Sequence, residues 1–314
     1  MNLKLGFDLN CFTNRYVEPE AWTDFVSSCG VKVVQFNFDL IDFLLPQKVQ
    51  NKLIKKTIEC CKKKNIRIKC AFGGHNHHQN YLGHPNGEVA SAYEEFYKKM
   101  ADLTAGLGGE GFGTCFAITT VNTHRDAETR PKIVECALDA YHRIAKYSKK
   151  QGLKYLLYEV TSVPRETCAT FKENDYVLSK MKDAALPMML CLDVGHRNME
   201  QRDCPSFSAR KRGLSLLAES DPYAWIEKYG NVSPLIHIQQ CNTGGSHHWP
   251  FTSEYNAKGD ILPEKIIEAV KHSGAKHEIL LALEIRHRAY YPDEYKLEEN
   301  LEESVKYWRQ WVKE

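Results

Sequence analysis

What the chain lacks narrows it first. Across its 314 residues no two cysteines are spaced C-x-x-C, although eleven are present. Several of them sit inside apolar runs (Cys70, Cys115, Cys191, Cys241), where a thiol behaves as a small hydrophobe. Scattered thiols in odd number argue against a disulfide framework or a zinc ribbon, and for a reducing, cytoplasmic setting. No apolar stretch approaches the ~20 residues that cross a bilayer, and MNLKLGFDLN lacks the apolar core of a signal peptide, so no membrane partner is expected. The net charge is only +2, without the basic excess that would point to nucleic acid. No G-x-G-x-x-G follows the first strand, which counts against a doubly wound dinucleotide fold. No linker, low-complexity tract or break in composition divides the chain, so residues 1–314 read as one domain.

What is present is a long alternation. Eight β-rich apolar runs stand out: LGFDL (5–9), VKVVQFNF (31–38), IRIKCAF (66–72), GTCFAIT (113–119), KYLLYEV (154–160), MMLCLDV (188–194), LIHIQQC (235–241) and EILLALEI (278–285). Near-continuous apolar character fits parallel strands buried on both faces. Amphipathic segments with helical spacing lie between them: Pro19 to Cys29, Gln47 to Lys64, Ala90 to Leu107 and Arg130 to Lys149. Later ones begin near Arg165, Pro222, Pro263 and Leu297. Eight strands alternating with eight helices predict an α/β fold, a (β/α)8 TIM barrel.

Four of the runs close on a polar side chain: Glu159, Asp193, Gln239 and Glu284. In a parallel barrel these ends converge at the mouth. Three carboxylates there repel one another, and a bound divalent cation resolves the conflict. Carboxylate-rich ligation favours Mn²⁺ or Mg²⁺ over structural zinc; Co²⁺ is a further alternative. His237 and Gln239 are two apart and share a face, so either can complete the ligand set. In D-V-G-H, Gly195 allows a sharp exit and His196 turns back over the site. Such a site supports enolisation: one carboxylate removes a proton beside a carbonyl and another returns it. Glu159 and Glu284 are the acid/base pair in this reading. His75, Arg165, His196, His237, His247 and His248 are substrate-contact candidates, and Arg197, Arg202 and Lys258 could also hold an anionic group.

The order Glu, Asp-x-Gly-His, His-x-Gln and Glu on strands five to eight resembles the xylose-isomerase-like TIM-barrel superfamily of sugar isomerases and epimerases. Y-E-V-T-S-V-P-R-E, L-D-V-G-H and L-A-L-E-I carry the resemblance, which covers the whole chain. The stretches DPYAWIEKYG, LIHIQQCN and SHHWPFTSEYNAKG, with the ending ESVKYWR, look most like the D-erythrulose 1-phosphate 3-epimerase branch. The resemblance implies a divalent metal, usually Mn²⁺, held by Glu159, Asp193, the strand-seven residue and Glu284. Ketose 3-epimerases of this kind carry H-x-H on strand seven, and the second histidine is replaced here by Gln239, which becomes the expected fourth ligand. The substrate expected is a small ketose or its phosphate. Two other chemistries use related barrels: a carbon–carbon lyase that decarboxylates a 3-oxo sugar acid, and an endonuclease IV-like repair enzyme. The second needs early-strand ligands for which only Asp8 and His75 are candidates. Barrels of this kind commonly pair, and the aromatics Tyr290, Tyr291, Trp308 and Trp311 are candidates for a homo-oligomer interface as well as for helix core.

Overall fold

The computed structural model describes residues 2–73, 80–161, 163, 165–198, 219–243, 245–287 and 294–313. Eight parallel strands close into a barrel: β1 (Asn2–Asp8), β2 (Val33–Asn37), β3 (Arg67–Phe72), β4 (Gly111–Cys115), β5 (Tyr155–Val160), β6 (Met188–Asp193), β7 (Leu235–Ile238) and β10 (Glu278–Leu283). Around the barrel the order is β1-β10-β7-β6-β5-β4-β3-β2. Strands β8 (Gln240–Asn242) and β9 (Gly245–Trp249) form a separate antiparallel hairpin just after β7. No helix among the described residues is long and apolar enough to cross a membrane. None of the ten cysteines among the described residues forms a disulfide.

Strand alternation sorts the side chains into two cores. Val33, Cys70, Phe72, Leu157, Cys191, Leu235, Leu280 and Ala282 fill the barrel, while Phe7, Val34, Phe112, Tyr158, Leu190, Ile236 and Leu281 meet the surrounding helices. Trp308 is fully buried against that outer layer and Trp311 is exposed; Tyr290 and Tyr291 lie outside the described residues.

Strand four starts and ends earlier than its apolar pattern suggests. Gly111 and Gly113 lie inside it, because a Cβ at Gly111 would fall 2.3 Å from the Tyr155 ring and one at Gly113 2.2 Å from the Leu157 carbonyl oxygen. Only glycine lets β4 lie this close to β5. The helix expected near Arg165 begins at Phe171 instead, where the Thr170 hydroxyl accepts the Glu173 N–H.

The amino-terminal end of the barrel is closed by charge. A register shift between β2 and β3 falls at Lys69 and accompanies its turn into the barrel. Its ammonium lies 3.3 Å from Glu110 and 3.1 Å from Glu278. Lys154 adds a bond to Glu110 (2.6 Å) and Arg67 one to Glu278 (2.5 Å). Burial alone would push both glutamates up, but Lys154 and Lys69 hold Glu110 below the usual carboxylate range, and Arg67 and Lys69 do the same for Glu278.

Candidate metal and acid–base site at the barrel mouth

The carboxy-terminal ends of the strands carry the opposite arrangement. β5 ends near Glu159 and β6 at Asp193, while Glu284 follows the last residue of β10. Parallel register sets Glu159 beside Cys191 and Asp193 beside His237. All four of Glu159, Asp193, His237 and Glu284 are buried, and one donor atom from each lies within 4.8 Å of the others. His237 is the hub: its Nδ1 lies 3.1 Å from Glu159 Oε1 and 3.3 Å from Glu284 Oε2, and its Nε2 lies 2.6 Å from Gln35 Oε1. An amide oxygen only accepts, so Nε2 carries a proton and Nδ1 faces the carboxylates. His196 stands over them, Nδ1 4.0 Å from Glu159 Oε1 and Nε2 3.8 Å from Asp193 Oδ2.

Negative charge exceeds what the protein supplies to balance it. Asp8, at the end of β1, adds a fourth buried carboxyl. Burial and the Glu284 charge push Asp8 up to about 7. Burial also pushes Asp193 up to about 7, against the pull of His196 and with the help of Glu284 and Glu159. Burial opposes ionisation of Glu159 too, yet His196 and His237 draw it below its usual value. Glu284 overcomes burial through Arg286, His248 and His237 and is held well below the carboxylate range. Arg286 forms an ion pair with Glu284 Oε1.

These residues fit a divalent cation. Glu284 Oε2 is buried and makes no well-formed hydrogen bond, with only the His237 and His248 Nδ1 atoms near it at 3.3 and 3.5 Å. Opposite ligands of a small divalent ion sit ~4.0–4.4 Å apart, given bond lengths of ~2.0–2.2 Å. The separations of His237 Nδ1 from Glu159 Oε1 (3.1 Å) and from Glu284 Oε2 (3.3 Å) lie within that span. A cation here would also offset the burial and the carboxylate repulsion that push Asp8 and Asp193 up to about 7.

No family model matches the chain. Among characterised proteins it is similar to D-erythrulose 1-phosphate 3-epimerase of Brucella abortus (strain 2308), 28% identical over 312 residues that span 98% of this chain and 96% of the relative. In fold it is similar to a Rhodospirillum rubrum protein provisionally called a xylose isomerase, at a TM-score of 0.86 and 22% identity over 99% of both chains. It is also similar to D-psicose 3-epimerase of Clostridium cellulolyticum H10, at 0.69 and 14% identity over 98% of this chain and 99% of that one. The chain resembles the xylose-isomerase-like TIM-barrel epimerases. The two structural likenesses establish the (β/α)8 barrel.

Within that epimerase-like frame, the structure sorts the candidates from the sequence. Glu159, Asp193, His196, His237 and Glu284 come together. Gln239 reaches the same place but is turned differently from a fourth ligand. Its amide nitrogen donates to both Asp193 oxygens at 3.0 and 2.9 Å. Its oxygen accepts from the His248 N–H at 2.7 Å and the Ser246 hydroxyl at 3.1 Å. Reversing the amide would break both hairpin bonds and set oxygen against carboxylate unless a cation lay between. Gly195 makes room for this amide, since a Cβ there would lie 2.4 Å from Gln239 Cδ. The Gly195 and His196 N–H groups cap Asp193 Oδ1 at 2.6 and 3.0 Å.

The hairpin separates its two histidines. His247 stacks on Trp249 and bonds Asn242, whereas His248 contacts Glu284. Lys258 lies over the Trp249 and Tyr255 rings and pairs with Glu254. Arg165 bonds the Thr119 carbonyl. Arg197 is buried, bonded to the carbonyls of Ala169 and Thr161 and stacked on Trp225, so it serves packing and not an open anion site. His75 and Arg202 lie outside the described residues. Three contributors were missed by sequence reasoning: Gln35, Arg286, and Asp8 as a neighbour of Glu284. Asp8 closes an apolar run as the other acids do, so its signal was present; Arg286 follows Glu284 by two residues, on the same side of an extended chain.

Proposed function

We propose that the protein is a metal-dependent 3-epimerase or isomerase of a small ketose or ketose phosphate, of the kind named by its Brucella relative. The observation that carries this reading is the convergence of Glu159 and Glu284, both ionised, from non-adjacent strands on one imidazole. Glu159, Asp193, His237 and Glu284 would hold the ion, with Gln35 fixing the His237 tautomer from behind. Three carboxylates and one imidazole suit Mn²⁺. A divalent ion held there supplies electrostatic stabilisation for negative charge developing on the substrate oxygens.

The remaining work belongs to side chains. Glu284, kept ionised by Arg286, can take the proton from a carbon that bears a hydroxyl beside a carbonyl. Glu159, ionised at rest, can take a proton from His196 beside it and deliver it to the opposite face of that carbon, which inverts it. The proton held by Glu284 leaves to solvent, and His196 is reprotonated from solvent. Burial of the cluster keeps bulk water from competing for the carbanion.

The test is proton exchange. Protein loaded with Mn²⁺ is incubated in heavy water with C4 to C6 ketoses, their phosphates and 3-oxo sugar acids, and followed by NMR. Deuterium at the carbon beside the carbonyl, with a new epimer or aldose, is the expected result. Release of carbon dioxide without an epimer would replace this reading with the lyase. Absence of exchange across the panel would overturn it.

A further inference from the structure

The hairpin over the mouth holds one residue in an unusual state. His248 has φ +53, in the left-handed region that disfavours a side chain with Cβ. Three bonds keep it there. Its N–H donates to Gln239 Oε1 (2.7 Å), its carbonyl accepts the Arg286 N–H (3.1 Å), and its ring Nδ1 lies 3.2 Å from the Glu284 carbonyl oxygen. Strain of this kind, overdetermined by its surroundings and set beside a reactive carboxylate, marks positions where a side chain must be aimed. Alternation along β9 supports the same view, because His247 and Trp249 stack together (ring centroids 4.0 Å) while His248 meets Glu284 and faces the His196 ring at 6.3 Å.

The bond to Glu284 also settles the tautomer. A backbone carbonyl only accepts, so in the neutral ring the proton sits on Nδ1 and the lone pair on Nε2. Among the described residues Nε2 has no hydrogen-bond partner. An acceptor in this position binds a hydroxyl and repels a carbonyl, carboxylate or phosphoryl oxygen. We infer that His248 is a specificity-determining residue that accepts a hydrogen bond from a free substrate hydroxyl and so excludes a phosphoryl group from that end of the site. The inference rests on the epimerase reading for its substrate class, and on geometry for the rest. A phosphorylated ketose would therefore enter with its phosphate directed away from His248.

Two measurements test it. In the first, kcat/KM is compared for D-erythrulose 1-phosphate and its 4-deoxy analogue, and for D-tagatose and its monodeoxy analogues, in wild type and in His248→Gly, which keeps the left-handed backbone. Wild type is expected to prefer one hydroxylated substrate over its deoxy partner by about 100-fold, and His248→Gly to shrink that ratio below about 5. A preference that survives in the variant overturns the inference. In the second, ¹⁵N-histidine NMR of the Mg²⁺-loaded protein, with His248→Asn to identify the signals, reads the tautomer without any turnover. Nδ1–H with a bare Nε2 is expected; a proton on Nε2 overturns the inference even if His248→Gly fails to fold. Exchange with no ketose at all would count against the epimerase reading instead, leaving the tautomer result to stand alone.

Discussion

The two ends of this barrel bury similar groups and treat them in opposite ways. At the amino-terminal end, two carboxylates (Glu110, Glu278) meet three cations (Arg67, Lys69, Lys154), and every charge has a partner. At the carboxy-terminal end, four carboxyls (Asp8, Glu159, Asp193, Glu284) share one guanidinium, Arg286, and the imidazoles of His237 and His196. Paired charge closes the barrel and specifies its register. Unpaired charge stores a demand for a cation and for a substrate. The difference shows that burial of charge is not itself the mark of a functional site; the imbalance is.

That contrast can be broken experimentally. Glu159→Gln and Glu284→Gln should each lower proton exchange by ~10²–10⁴-fold, the range that positioned acids and bases contribute. Near-normal turnover in either would remove that residue from the acid/base pair. At the other end, Lys69→Met should leave metal content intact while unfolding the protein more easily, by roughly 2–3 kcal/mol in urea melts. The range is reduced from that of a fully buried pair because Glu110 and Glu278 are partly solvated. Loss of metal from Lys69→Met would mean that the two ends are not independent.

Within the mouth, Gln239→Ala, which removes a partner of Asp193, should weaken Mn²⁺ binding by about 10–100-fold, and His237→Ala, which removes a ligand, by more. Calorimetric titration of metal-free protein separates them, and the reverse order would make Gln239 the ligand after an amide rotation. The most graded effect is that of pH. Asp193 keeps its proton up to about 7, and a cation must displace it. Burial opposes the charged form of His237, yet Cys191 and the Glu284 and Glu159 carboxylates hold it well above the usual imidazole value, so it must also give up a proton to ligate. Binding should therefore weaken by more than about tenfold per unit as pH falls below 7, and should go on strengthening above it. A flat profile between pH 5.5 and 8 would show that Asp193 is already ionised, and His237 already neutral, in the free protein.

Much of this was legible before any coordinates. Glu159, Asp193 and Glu284 each close an apolar run, and strand alternation with parallel register is enough to bring such ends together. The periodic helices were equally plain: Gln47–Lys64 has the boundaries its pattern implies. What escaped notice depends on contacts between distant segments. β4 is short and glycine-rich because of the Tyr155 and Leu157 atoms across from it, which its own residues do not announce. The β8–β9 hairpin reads as loop, since GSHHW has neither an apolar run nor a clear alternation. The orientation of Gln239 follows from that hairpin and was invisible for the same reason. Gln35 lies in a strand of otherwise apolar pattern, and only its bond to His237 gives it a role.

The missing side chain at Gly195 has a consequence for anyone who would redesign this protein. The space it leaves is filled by the Gln239 amide, which in turn holds Asp193 on one side and the Ser246–His248 segment on the other. Residues 193, 195, 239 and 246–248 therefore behave as one interlocking piece. A library that varies position 239 alone, for example to install histidine, would mostly sample misfits. Covarying 195 and the hairpin with it would open alternatives that single substitutions never reach.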